Sequence, residues 1–338
     1  MNGSLNGSLT GSLNGGTSGS VLVTGGRGFI GGFVLQALRT AMPQQAVLLA
    51  GRTQPAATFD GLQTVPLDLT APHLHLPRGV HTVLHLAAEK HDTARMQAVN
   101  HAAAVRLVDA AAQAGAHCFV HLSSVGVYGA RKHAGSVTTA TPHTPQGDYE
   151  SSKDAGERGV RERCAALGLR CTVLQPSNVV GLAPGRSRPL LGLTRTVARG
   201  WFRHLGAREV WVNYIAAEDV AAALVAAVQH AGAEGTWILN TPAPLRSLVG
   251  WVADELKLPA PTATLPLWLA GAAAGLGAVA GAVLRRELPL SPARFRELSN
   301  TTRYDGSAVL AALGFNYPLG IEAAVRSMVR QYRHEGLV

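Results

Sequence analysis

The chain has 338 residues, 47% hydrophobic and 15% charged, with a formal net charge of +9. That length buries one large core, or one core and a smaller lobe, and the apolar content excludes an intrinsically disordered chain. The basic residues are scattered rather than blocked, which excludes an obvious nucleic-acid groove and leaves the charge to solubility, to anionic ligands or to an anionic membrane face.

Residues 1–19 are a low-complexity tract in which Asn2-Gly3-Ser4-Leu5, Asn6-Gly7-Ser8-Leu9 and Thr10-Gly11-Ser12-Leu13 repeat. Gly and Ser at this density cannot offset the entropy of ordering a backbone, which predicts a flexible tail. No charged stretch followed by an apolar run opens the chain, so no secretory leader is expected. Cys118, Cys164 and Cys171 form no CxxC pair and cannot all pair with one another. They fit a reducing compartment, hence the cytoplasm.

From Ser20, short β-rich runs alternate with helix-length stretches. Val21–Val23, Ala46–Leu49, Thr82–Leu86, Cys118–Leu122 and Arg170–Leu174 read as strands, and Phe29–Thr40, Arg95–Ala114 and Tyr149–Leu167 as helices. The alternation predicts an α/β fold, a doubly wound parallel sheet of the Rossmann type over residues 20–176. After Pro176 the chain is mostly helical, with a strand at Thr236–Leu239. Residues 177–338 are expected to form a smaller substrate-binding lobe, partly interleaved with the sheet.

The first chemical motif is Thr24-Gly25-Gly26-Arg27-Gly28-Phe29-Ile30-Gly31, which follows a strand and opens a helix. Gly25 permits the tight turn, Gly28 lets backbone approach a pyrophosphate, and Gly31 allows close helix–strand packing. The diphosphate of a dinucleotide then sits at the positive helix N-terminus. Dinucleotide sites that take NAD place an acid after the second strand, for the ribose hydroxyls. Gly51-Arg52-Thr53 stands there instead. A cation cannot accept a hydroxyl hydrogen bond but does pair with a 2′-phosphate, and Arg27 adds a second charge, so NADP is expected in preference to NAD.

Asp68-Leu69 follow a third strand and His85-Leu86-Ala87-Ala88 end the fourth, where Leu86, Ala87 and Ala88 leave room for a cofactor. Ser123-Ser124-Val125-Gly126-Val127-Tyr128-Gly129 follows the fifth, with Tyr149-Glu150-Ser151-Ser152-Lys153 beyond. The YxxxK spacing puts two side chains one helical turn apart. A free tyrosine, with a pKa of about 10, is a poor base at neutral pH. A nearby ammonium and an oxidised nicotinamide both favour the phenolate. Ser124 can steady the substrate oxygen.

This ordered set resembles the extended short-chain dehydrogenase/reductases of the NAD-dependent epimerase/dehydratase family, over Val21 to about Tyr332. The resemblance implies hydride and proton transfer at a carbinol carbon, with Ser124, Tyr149 and Lys153 as the catalytic set. It also implies cofactor contacts from the glycine loop (Gly25, Arg27, Gly28, Phe29, Ile30, Gly31), from Asp68 and Leu69 at the adenine, and from Leu86–Ala88, Tyr149, Lys153 and Pro176. Gln175-Pro176 stands where the family more often has Arg-Pro, and Asn178 follows in a stretch used near nicotinamide and substrate.

Ala87-Ala88-Glu89-Lys90-His91-Asp92 is similar to the AAEHxD stretch of bacterial surface-polysaccharide epimerases, which makes Glu89 a substrate contact. Leu290–Phe295, Thr301–Asp305 and Leu313–Phe315 are similar to the tail of lipid-linked N-acetylglucosamine 4-epimerases. The 3β-hydroxysteroid dehydrogenase branch has a comparable ending. Two activities are therefore implied. The first is an NAD(P)-dependent epimerase or oxidoreductase acting on a nucleotide-linked or polyprenyl-diphosphate-linked sugar. The alternative is an NADPH-dependent reductase of a hydrophobic or steroid-like ketone. A cofactor sensor without turnover is a third class, against which the intact Ser124/Tyr149/Lys153 set argues. The partner expected is a small-molecule or lipid-linked sugar, with no nucleic acid and with homodimerisation left open.

Leu265–Leu284 is uncharged over twenty residues and is followed by Arg285-Arg286. It could span a bilayer by length, but it is rich in Ala and Gly and begins with Leu-Pro. A buried or pocket-lining helix is the leading reading, with peripheral membrane contact through residues 265–286 on the inner face next. The histidines form no HExxH motif, so no metal is expected. Glu218-Asp219 is expected to start a helix and satisfy its first amides. Arg186, Arg188, Arg195, Arg199 and Arg203 read as a solvated helix face or as a diphosphate clamp.

Overall fold

The computed structural model describes residues 19–52, 62–129, 135–183, 188–230, 234–272 and 301–338. Seven strands form one sheet: β1 (Ser20–Thr24), β2 (Val47–Gly51), β3 (Gln63–Pro66), β4 (Val80–His85), β5 (Cys118–Leu122), β6 (Arg170–Pro176) and β7 (Gly235–Leu239). Their order is β7-β6-β5-β4-β1-β2-β3, and every neighbouring pair is parallel.

Strand residues alternate between two apolar layers, as a sheet covered on both faces requires. Val21 and Val23 meet Val34, Leu35 and Leu38 of α1 (Phe29–Ala41) and Leu224 of α6 (Ala217–Gln229). Leu22, Val83 and Phe119 meet Leu107 of α3 (Ala104–Gln113) and Val160 of α4 (Asp148–Leu167). The chain leaves β1 for β2 and β3, then returns to β4 beside β1. The loops after β1 and β4 therefore diverge over a crevice at their C-terminal ends.

The helix expected over Arg95–Ala114 is interrupted. A short α2 (Thr93–Met96) runs into a π-helical stretch, Gln97–Ala103, before α3. The cause is tertiary: a Cβ on Gly156 of α4 would stand 2.0 Å from the Asn100 carbonyl oxygen, so the two backbones touch there. The widened turn aims the Asn100 side chain at the loop after β4, where it accepts from Glu89 N at 2.7 Å and donates to Ser152 Oγ at 2.9 Å.

Beyond β6, α5 (Leu191–Ala198), α7 (Leu245–Leu256) and α9 (Gly320–His334) enclose a third core of Val197, Leu248, Val252, Val325, Met328 and Tyr332. The short α8 (Ala308–Leu313) returns to the sheet and buries Val309 and Leu313 in the first core. Glu218 and Asp219 do lie at the start of α6, but the Asp219 carboxylate serves another helix. It accepts from Leu319 N at 2.9 Å and Gly320 N at 3.0 Å, at the head of α9. Both carboxyls of the pair are pushed up by burial.

Candidate active site

The glycine loop sits where β1 and β4 part. Gly25 has φ +72°, and a Cβ there would lie 2.5 Å from Ala87 N, so the two loop backbones touch. A Cβ on Gly31 would lie 2.4 Å from Gly25 O. Gly28 is exposed and meets only Gly25 O at 3.0 Å, while its backbone heads α1 with no capping side chain and no acid in the first turn. An open glycine at an uncapped, positive helix end fits a diphosphate.

A cleft of about 520 Å³ lies beside this loop; of the residues expected to hold a dinucleotide it gathers Gly25, Arg27, Arg52, Asp68, Leu69, Ala87 and Ala88, together with Glu89, expected at the substrate. Phe29, Ile30 and Leu86 turn elsewhere. Phe29 packs edge-on against Phe33 at 5.5 Å, and Ile30 and Leu86 lie against the first core. Arg52 is exposed at the end of β2. Asp68 accepts from the amide and the hydroxyl of Thr70, which hold its carboxyl below the usual range, with Arg52 and Arg95 adding to the effect. Arg95 also lines the cleft; in sequence it is one more helix arginine.

α4 carries the proposed proton-transfer pair. Its start is set by Glu150, which accepts from Gln146 N at 2.8 Å and Gly147 N at 3.3 Å. Lys153 is only 2% exposed. Its Nζ donates to Leu122 O at the end of β5, at 2.6 Å. Burial pushes the ammonium down to about 8, opposed by Glu157 and assisted by Lys90. In the protein alone, burial pushes the Tyr149 phenol up to about 12, and the Lys153 ammonium donates to Leu122 O.

Ser124 Oγ accepts from Gly126 N at 3.1 Å and caps the 3₁₀ turn Val125–Tyr128. Pro176 is buried at the end of β6. Asn178 is exposed on a short strand, Asn178–Val180, that pairs in parallel with Tyr214–Ala216. The Glu89 carboxylate accepts from the amides of Lys90, His91 and Asp92 at 2.9, 3.0 and 3.3 Å, which lowers its pKa and holds the loop. As placed, it supports the site's backbone.

Two features escaped the sequence. His85 and His121 stack at 5.4 Å under the site, with Thr24 Oγ1 on His85 Nδ1 at 2.7 Å. Burial, reinforced by Lys153, pushes His85 down to about 3 and His121 well below its usual value, so both rings are neutral. Glu157 is fully buried, with its carboxylate on Ser123 Oγ and Gln175 Nε2. Its only sequence signal is a position one turn after Lys153.

The arginines after Pro176 form no shared clamp among the described residues. Arg188 pairs with Glu335, Arg195 donates to Leu337 O, Arg199 lies over Trp201, and Arg203 donates to Gly200 O and Phe202 O; Arg186 lies outside the described residues. Of the apolar run Leu265–Leu284, residues 273–284 lie outside them too, as do Arg285, Arg286 and the 290–295 stretch. Its first residues place Leu267, Trp268 and Leu269 at the surface, Trp268 at 75% exposure. No helix among the described residues is long and apolar enough to cross a membrane.

Comparison with known proteins follows the same geometry. The chain is 31% identical over 179 residues to a dTDP-glucose 4,6-dehydratase of Streptomyces griseus, a match covering 48% of this chain and 54% of that one. It is 34% identical over 186 residues to a UDP-glucose 4-epimerase of Azospirillum brasilense, covering 48% and 50%. The chain thus spans about half the length of the curated relatives it matches. The solved structure of MoeE5 in complex with UDP-glucose and NAD superimposes with a TM-score of 0.66 at 23% identity, over 94% of this chain and 99% of that one. The family profile described as the NAD dependent epimerase/dehydratase family matches residues 21–240, and the chain belongs to that family.

Proposed function

We propose that this protein is an NAD(P)-dependent enzyme acting at a secondary alcohol of a sugar, with residues 20–176 holding the cofactor and 177–338 the substrate. The observation that carries the reading is Tyr149 one turn before a lysine buried against the end of β5. The nicotinamide, when bound, supplies the hydride acceptor and a positive ring. Tyr149 starts protonated in the protein alone, and positive charge brought beside it favours the phenolate that takes the substrate hydroxyl proton. Lys153 holds the second positive charge in place, and Ser124 steadies the substrate oxygen. Tyr149 returns the proton when the keto product is reduced.

A nucleotide-linked sugar is the substrate class that the dTDP-glucose and UDP-glucose relatives support. The test is incubation with NAD⁺ or NADP⁺ and UDP-hexoses, beside a polyprenyl-diphosphate sugar and a lipophilic ketone with NADPH. Epimerised sugar without net cofactor reduction is expected. Turnover of the lipid-linked sugar alone would give the exposed Leu267-Trp268-Leu269 surface a role beside a bilayer. Turnover of the ketone alone would sink the sugar reading.

Arg52 supports NADP as the preferred cofactor. It stands at the end of β2 on the rim of the cleft, with Arg27 and Arg95 also lining it. Arg52→Asp replaces attraction by repulsion, so NADP(H) affinity is expected to fall by about tenfold or more relative to NAD(H). Equal losses for both nucleotides, read by fluorescence titration, would remove Arg52 as the selector.

A further inference from the structure

Glu157 follows Lys153 by four residues on α4, so their side chains leave one face of the helix a turn apart. Both are buried, Glu157 at 0% exposure and Lys153 at 2%. They end beside consecutive residues. Lys153 Nζ donates to Leu122 O at 2.6 Å, and the Glu157 carboxylate accepts from Ser123 Oγ at 2.7 Å. Gln175 of β6 completes the site. Its Nε2 donates to both Glu157 oxygens, at 3.0 and 2.9 Å, while its Oε1 accepts from the Tyr128 hydroxyl at 2.7 Å.

Ser123 and Gln175 are neutral donors, and neither cancels the charge of this carboxylate. A charge taken out of water is costly unless an opposite charge lies near it. The other described groups facing Lys153 offer no such charge. His85 of β4 and His121 of β5 are neutral imidazoles, Lys90 in the loop after β4 repels it, and Tyr149 holds its proton. Asp154, the next residue of α4, turns to Arg158 and His143.

We propose that Glu157 is the counter-charge that positions the Lys153 ammonium, and that Gln175 serves this by holding the carboxylate without neutralising it. An arginine at 175 would form a guanidinium–carboxylate pair with Glu157 and draw the charge away from Lys153. The proposal rests on Lys153 being the partner of Tyr149, but its test reads the lysine itself.

The chain has four lysines, Lys90, Lys132, Lys153 and Lys257, so ¹³C-labelled lysine ε-carbons give four signals through an NMR pH titration. Loss of one signal in Lys153→Met assigns Lys153. In the unsubstituted protein Lys153 is expected to titrate near 8. A lysine buried without a counter-charge titrates at about 5–6, and a midpoint there overturns the proposal. Glu157→Gln and Gln175→Arg are each expected to lower the midpoint by about one unit or more. Ser123→Ala removes a hydrogen bond but no charge, and should leave the midpoint nearly in place. An unchanged midpoint in a folded Glu157→Gln or Gln175→Arg protein also overturns the proposal, and if neither folds the unsubstituted midpoint decides. No turnover enters this measurement. A Tyr149→Phe protein that kept its activity would end the catalytic reading without touching this one.

Discussion

Tyr149→Phe is expected to lower turnover by about a hundredfold or more while leaving the fold and nucleotide binding in place. The substitution removes one phenolic oxygen and keeps the ring that α4 packs. That oxygen makes no hydrogen bond with a described residue, so its loss leaves no described partner unsatisfied. The thermal melt should therefore hardly move. The rate should, because no other described group stands ready to replace the phenol: Ser124 is a poor base, and the Lys153 ammonium is turned to Leu122 O. Turnover, a melt and a nucleotide titration on the same preparation separate the outcomes. A variant keeping most of its turnover removes Tyr149 from the mechanism.

The second large effect lies at Gly31. A Cβ there would meet Gly25 O at 2.4 Å and Gly26 C and Cα at 2.5 Å, all backbone atoms that no rotamer change can move. Gly31→Ala must therefore displace the loop from α1. Overpacking of this kind costs about 1–3 kcal/mol, and it falls on the amides that face the cleft. Nucleotide affinity is expected to drop by at least about tenfold, with a lowered melting temperature. The neighbour supplies the control. A Cβ on Gly32 would meet nothing within 4 Å, so Gly32→Ala should leave binding intact and stabilise the helix by up to about 1 kcal/mol. Equal behaviour of the two alanines, in titration and melt, would show that close packing at Gly31 does not shape the site.

Most of the sheet was legible because strands such as β1, β2 and β5 are short apolar runs, while β3 (Gln63–Pro66) is not one. The glycine loop was legible because it sits between a strand and a helix. Both signals are local. What the sequence hid is tertiary. The π-helical turn at Gln97–Ala103 exists because Gly156 presses on Asn100 O from another helix. The partners of Asp219 lie some hundred residues away. Glu89 reads as a substrate contact by resemblance, and only the folded loop brings three amides to it. Spacing likewise places Lys153 near Tyr149, but it does not show that the ammonium donates to β5 or that burial raises the phenol in the protein alone.

The position of β7 bears on how the chain is made. The strand at Gly235–Leu239 lies last in sequence among the seven yet completes the sheet beside β6. α6, which covers Val23 and Val120 together with α1, also comes after Pro176. A nascent chain that has emerged only to β6 therefore presents an unpaired strand edge and half of an uncovered apolar face. Such surfaces are where growing chains associate wrongly. The seven-stranded sheet closes only once residue 239 has been made, so the interval between β6 and β7 is the stage of synthesis at which these surfaces stay open.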